Sequence, residues 1–152
     1  MEDIDNLSII RKLQIIGDSN RLDYYINKAK KISHKICLTG PLSRKDVFNI
    51  YSNSHIIILL SHSEGLPKVL MEAAVFGCVP IVSNFSGMSK IIKDSHNGFI
   101  LNSNNGQYDY NKFKTIINNP STLKNCSLNA YKTSHDFTYE KYLKDIKDAI
   151  LF

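Results

Sequence analysis

The stretch from His55 to Asn84, HIIILLSHSEGLPKVLMEAAVFGCVPIVSN, leaves this chain few choices of fold. Ile56 to Leu60 is a short continuous apolar run, the pattern of a parallel strand covered on both faces. Ser61 to Leu66 carries the polar and glycine residues that end it. Pro67 suits the first turn of a helix, where its missing N–H is no loss, and Gly77 fits a C-cap for a helix over Pro67–Phe76. Val79-Pro80 then restarts extended chain into Ile81 and Val82. A buried strand, a helix and a second buried strand are the repeating unit of an α/β domain with a parallel sheet, whose ligands bind at the carboxyl ends of the strands.

The charges sharpen this. From Val69 to Phe76 the helix is apolar all round, so it is predicted to be buried. Glu72 stands in its middle. An unpaired buried carboxylate costs several kcal/mol, so Glu72 must face a polar cavity or a partner. Glu64 lies in the preceding loop, at the carboxyl end of the strand. Either acid alone fits an ion pair or an exposed cap. Two of them flanking a free helix N-terminus favour a ligand site.

Residues 1–12 fit a short helix, and Leu13–Ile16 is a strand ending in Gly17-Asp18-Ser19-Asn20. A glycine there lets backbone approach a ligand, and a helix could begin at Asn20; an ordinary strand–helix turn is the alternative. Arg21 to Ser33 is helical in pattern. Its lysines, with few aromatics between them, read as a solvated face and give no sign of nucleic-acid binding. Lys35–Leu38 is the next strand, followed by Thr39-Gly40-Pro41-Leu42. Ser43 caps a helix to about Ser52, with Asp46 at N3 completing a capping box. Beyond the central stretch come a loop into Ser89–Lys93, a turn over Asp94–Gly98 and a short strand Phe99–Leu101. A polar loop Asn102–Gly106 and helices over Asp109–Asn118, Ser121–Thr133 and Tyr139–Leu151 complete the chain.

The 152 residues suit one domain, and 43% hydrophobic and 22% charged residues are globular values. No apolar run approaches the ~20 residues of a membrane span, and the acidic Met1-Glu2-Asp3 is no signal peptide. Cys37, Cys78 and Cys126 lie far apart, which argues for reduced thiols and a cytoplasmic protein. Neither they nor the five histidines show a metal-ligand spacing. A net charge of +5 permits an anionic ligand or membrane surface without specifying either.

Ser63-Glu64-Gly65-Leu66-Pro67-Lys68-Val69-Leu70-Met71-Glu72 resembles the E-x7-E signature of retaining, nucleotide-sugar-dependent glycosyltransferases of family 4. Those enzymes have the GT-B architecture of two Rossmann-like domains. Gly77-Cys78-Val79-Pro80-Ile81-Val82-Ser83 is similar to that family's G-x-P-V-V-A/S segment, and Gly17-Asp18 to its G-D/E-G turn, with Ser19 in place of the second glycine. Gly40-Pro41-Leu42 resembles the loop that borders the nucleotide base. Ile91 to Phe99 resembles E-I-I-x-D-G-x-N-G-F, although Lys90 stands where the family has an acid.

The resemblance implies a Rossmann-like three-layer α/β/α domain over residues 1–152, the C-terminal, donor-binding half of a GT-B enzyme. It implies a UDP-, GDP- or ADP-linked sugar as substrate, held without a metal or other cofactor. Backbone N–H groups from Gly65 to Val69 would face the pyrophosphate, with Lys68 adding a mobile positive charge. Glu72 would hold the ribose hydroxyls, and Glu64 would sit beside the donor sugar as the catalytic carboxylate. The family's phosphate-gripping arginine and lysine belong upstream of Leu13–Ile16, where Arg11 and Lys12 do not match them. The acceptor domain is likewise expected on a missing segment or a partner chain. Peripheral membrane association of the whole enzyme and self-pairing of the lone domain are compatible with this picture. A non-catalytic nucleotide-sugar-binding module and, less closely, a nucleotide-sugar 2-epimerase are the alternatives.

Overall fold

The computed structural model describes residues 9–61, 68–84, 88–138, 140, 141, 147 and 148. It divides into two compact units, Met1–Val47 and Phe48–Phe152. In the first, β1 (Leu13–Ile16) pairs in parallel with β2 (Ile36–Gly40) through the crossover helix α1 (Leu22–Ile32). The register runs from Leu13 opposite Ile36 to Ile16 opposite Gly40, with an irregularity between Ile15 and Ile16. The helix starts two residues later than Asn20. Ser19, not Asn20, makes the local bond, its hydroxyl accepting from the Arg21 N–H at 3.1 Å. Ile9 to Lys12 are not helical; the remainder of the predicted N-terminal helix lies outside the described residues. α2 (Arg44–Ser52) follows. Ser43 accepts from the Asp46 N–H at 3.2 Å, the first half of the predicted capping box, while the Asp46 carboxylate accepts from the Ser43 hydroxyl at 2.6 Å in place of the Ser43 backbone N–H.

The second unit holds three parallel strands in the order β3 (Ile56–Leu59), β4 (Val79–Ser83) and β5 (Phe99–Leu101). α3 (Lys68–Val75) crosses between the first two and α4 (Met88–Ile91) between the last two. α5 (Tyr110–Ile117) and α6 (Pro120–Ser134) follow, and a 3-10 turn covers His135–Phe137. Alternation along β4 divides the core. Val82 packs with Leu70, Met71, Met88 and Ile92 from α3 and its sequel. Val79 and Ile81 pack on the opposite face with Phe99, Leu101, Ile116 and Cys126. This unit is therefore a three-layer α/β/α arrangement, with β4 buried along its whole length.

A proline in a central strand needs explaining. Val79 donates its N–H to the His55 carbonyl on the β3 side at 2.8 Å. The next N–H would point the other way, toward β5, where pairing begins only at Ile81. Pro80 thus lacks a donor at the one point of the strand that has no ladder partner to use it. Gly98 fills the vacated side: a Cβ there would lie 2.7 Å from the Pro80 carbonyl oxygen.

Two further expectations change. The loop Asn102–Gly106 is part of an antiparallel hairpin, β6 (Ser103–Asn104) with β7 (Gln107–Tyr108). Its two-residue turn has positive φ at both Asn105 (50°) and Gly106 (77°), the geometry an Asn-Gly pair favours. The helix α3 is also not buried all round. Leu70, Met71, Ala73 and Ala74 are buried where the helix meets the sheet and α6, but Val69, Val75 and Phe76 are exposed. The predicted C-terminal helix Tyr139–Leu151 lies largely outside the described residues.

Candidate functional site

In the second unit the carboxyl ends of β3 and β4 are fastened together by the buried Ser83, whose hydroxyl donates to the Ser61 carbonyl. Of the residues singled out by sequence, Ser63, Glu64, Gly65, Leu66 and Pro67 lie outside the described residues. Lys68 opens α3 at this edge and, like Val69, is exposed. Glu72 is half-buried. It stands on the one open stripe of α3, one turn beyond Val69 (41% exposed) and one turn before Phe76 (39% exposed). The carboxylate is thereby kept off the fully buried face of the helix formed by Leu70, Met71, Ala73 and Ala74.

The far end of that stripe meets α2. Phe76 lies with Phe48 at 5.5 Å and with Tyr51 at 6.1 Å between ring centroids. Burial raises the Tyr51 phenol, and the nearby charges of Glu72 and Cys78 raise it further, so the hydroxyl keeps its proton beside the carboxylate. Cys78 is fully buried, with its thiol 3.3 Å from the carbonyl oxygens of Tyr51 and Ser54, and burial pushes it up to about 11. It is a structural thiol.

In the first unit Gly17 and Gly40 come together at the carboxyl ends of β1 and β2, the Gly17 N–H donating to the Gly40 carbonyl at 3.2 Å. Both hold positive φ, 149° and 69°. Asp18 is turned back on its own loop and accepts from the Ser19 N–H at 2.8 Å. Gly40 closes β2 instead of opening a loop, leaving Pro41 exposed and Leu42 half-buried after it.

Residues 3–133 match the model of the family described as glycosyl transferases group 1. This chain belongs to that family. A UDP-Gal:alpha-D-GlcNAc-diphosphoundecaprenol alpha-1,3-galactosyltransferase of Escherichia coli is 29% identical over 143 residues, which cover 90% of this chain and 36% of that protein. Among solved structures, Anabaena Alr3699/HepE in complex with UDP and glucose superposes with a TM-score of 0.75 at 17% identity, covering 91% of this chain and 40% of that one. The C-terminal domain of a glycosyl transferase group 1 family protein (LpcC) from Francisella tularensis superposes with a TM-score of 0.64 at 21% identity, over 77% of this chain and 63% of that one. The chain spans between 36% and 41% of the length of the first four curated relatives it matches. The fold is the α/β fold with parallel sheets found in GT-B glycosyltransferase domains.

Other motif residues of this group 1 chain have structural work. Asn97 is 3% exposed; its Oδ1 accepts from the Lys93 N–H at 2.7 Å, and its Nδ2 donates to the Ile91 carbonyl at 2.9 Å and to Thr133 Oγ1 at 3.0 Å. Asp94 accepts from the Ile100 N–H at 2.8 Å and from Lys112 Nζ at 2.9 Å. Lys90 is exposed. No group of three or more metal-ligating side chains is found among the described residues, and no helix among them is long and apolar enough to cross a membrane. Sequence reasoning passed over Tyr51, whose packing on Phe76 and electrostatic coupling to Glu72 depend on how α2 meets α3. It also passed over the β6–β7 hairpin, although Asn105-Gly106 was the signal for it.

Proposed function

We propose that this chain is the C-terminal, donor-binding half of a retaining glycosyltransferase of family 4, and that it holds a nucleoside diphosphate sugar for hexosyl transfer to a glycan or lipid-linked acceptor. The observation that carries this reading is the position of Glu72. It is a carboxylate on the only open stripe of an otherwise core helix, and that helix begins at the carboxyl edge of a parallel sheet. There a carboxylate accepts hydrogen bonds from vicinal ribose hydroxyls, and the first N–H groups of the helix supply positive potential for a pyrophosphate without a metal.

Glu64 is assigned to the donor sugar by the E-x7-E spacing, and Lys68 to the phosphates. Gly17 and Asp18, and Gly40 to Leu42, are assigned by the same resemblance to close backbone approach and to the border of the base. The similarity to a UDP-Gal-dependent galactosyltransferase acting on a diphosphoundecaprenol-linked sugar, and to a protein in complex with UDP and glucose, supports a UDP-linked donor and an acceptor on a polyprenyl diphosphate. The match to a C-terminal domain supports the placement in the whole enzyme. The acceptor half, and the phosphate-gripping arginine and lysine, would be supplied by further chain or a partner, so the chain alone transfers nothing.

Titration of the 15N-labelled chain with UDP, GDP and ADP tests this. One nucleotide is expected to shift the amides of Lys68, Val69 and Glu72, and Glu72→Ala should weaken it about tenfold or more with the fold intact. A full set of nucleotides that leaves those amides still would end the binding claim. Sugar transfer by the isolated chain would end the claim that it is half of an enzyme.

A further inference from the structure

The hairpin β6–β7 is fastened to the carboxyl end of every strand of the second unit's parallel sheet. It grows directly out of β5, since only Asn102 separates Leu101 from Ser103. Asn84, the residue after β4, donates its side-chain amide to Asn102 Oδ1 at 3.1 Å and its N–H to the Leu101 carbonyl at 3.2 Å. Tyr108 donates its hydroxyl to the carbonyl of Leu60, the residue after β3, at 3.2 Å. The base is closed by the Asp109 N–H on the Asn102 carbonyl at 3.2 Å. A two-stranded hairpin of this length is not stable by itself. Here it is held at the edge where open α/β sheets carry their ligands.

What it presents there is chemically narrow. Residues 102–108 read Asn-Ser-Asn-Asn-Gly-Gln-Tyr, with neither a cation nor an anion among them. All of them except Gly106 line an open concavity of about 590 Å³, bordered by Asp109. The side chains of Asn104, Asn105 and Gln107 make no hydrogen bond among the described residues. Each amide offers two donors and an acceptor in one plane, which suits vicinal hydroxyl groups. A phosphate finds no positive partner on this surface and one carboxylate at its border.

We propose that the β6–β7 hairpin is a saccharide subsite, with Asn104 and Gln107 as hydrogen-bonding residues for the hydroxyls of a neutral sugar ring. The ligand class rests on the glycosyltransferase reading above. The same chemistry is offered by the hexosyl group of a nucleotide-sugar donor and by the terminal sugar of an acceptor.

The test is an NMR titration of the 15N-labelled chain that follows the side-chain NH2 signals of Asn104, Asn105 and Gln107. Its arms are UDP alone; UDP-glucose, UDP-galactose and UDP-N-acetylgalactosamine; and the methyl α-glycosides of the same three sugars. Hairpin shifts that UDP-sugars produce and UDP does not identify a donor-sugar contact, and shifts from a methyl glycoside identify an acceptor contact. Asn104→Ala or Gln107→Ala should then weaken that sugar about fivefold to tenfold and leave UDP alone unchanged. Both positions are exposed, and the dispersed amide spectrum reports that each variant is folded. Unmoved hairpin signals in all seven arms, or shifts that survive both substitutions, overturn the proposal. Should UDP leave Glu72 unmoved while a glycoside moves the hairpin, the nucleotide reading fails and this subsite stands.

Discussion

Both units of this chain are built on a strand, a crossover helix and a parallel strand, yet they use it differently. In β1–α1–β2 one helix residue, Ala29, is buried, and the ladder's side chains are half-buried or exposed, with Ile15 at 47%. Arg21 lies over the exposed rings of Tyr24 and Tyr25, 4.7 and 5.9 Å from their centroids, so α1 carries its polar chemistry on its outer side. In β3–α3–β4 the second strand is buried throughout and four residues of an eight-residue helix are buried with it. The difference teaches where rigidity resides. A carboxylate that must hold a ligand in fixed geometry is better placed on a helix locked by its own core, and Glu72 is on that helix.

The comparison can be broken most directly with glycine. Gly98→Ala puts a methyl group 2.7 Å from the Pro80 carbonyl oxygen and 2.9 Å from the Ile92 side chain. It should cost about 2–3 kcal/mol in urea unfolding, since neither the backbone of β4 nor the core can yield cheaply. Gly17→Ala in the first unit meets nothing within 4 Å and carries only the strain of φ 149°, so about 1 kcal/mol is expected. Equal losses would show that the two units are held equally tightly.

Next comes Asn97→Ala, which deletes three hydrogen bonds at a buried position and leaves the Lys93 N–H and the Ile91 carbonyl without that partner. About 2 kcal/mol is expected. Amide exchange should rise at Ile91 to Gly98 and around Thr133, and not in α1. A loss spread evenly over the chain would mean the turn is no separate staple.

The smallest effects concern the thiols. Cys37, on β2, is exposed, whereas Cys78 and Cys126 are buried. A thiol reagent at pH 8 should modify Cys37 quickly and the other two only as fast as the chain opens. Burial raises the Cys78 thiol from the ordinary 9.0 to about 11, so the folded state holds that proton more tightly than the unfolded state. Its contribution to stability is therefore fully present below pH 9 and declines as pH rises toward 11. Cys78→Ala should flatten that decline; an unchanged alkaline profile would show that other groups set it.

Much of this was legible before any coordinates. Leu13–Ile16 and Phe99–Leu101 are strands with the bounds read from their apolar runs, and Gly77 ends α3 with φ 82°. Those signals are local: period, length and a residue that must turn. The errors came where context overrides them. An all-apolar helix predicts burial on every side, but burial depends on how the neighbours pack, and Val75 is 50% exposed. A polar run suggests a loop, whereas its Asn-Gly step closes a hairpin.

The sequence by itself determined that strands alternate with helices in a parallel arrangement, and that two acids stand around one helix start, because short-range periodicity and chain punctuation encode such features. Only the tertiary structure decided which stripe of α3 is open, that Tyr51 accompanies Glu72, and that Leu60, Asn84 and Asn102 fasten a hairpin at the strand ends. Those facts join residues up to 48 positions apart. They follow from the direction in which buried strands and helices leave the side chains between them, which no window of sequence records.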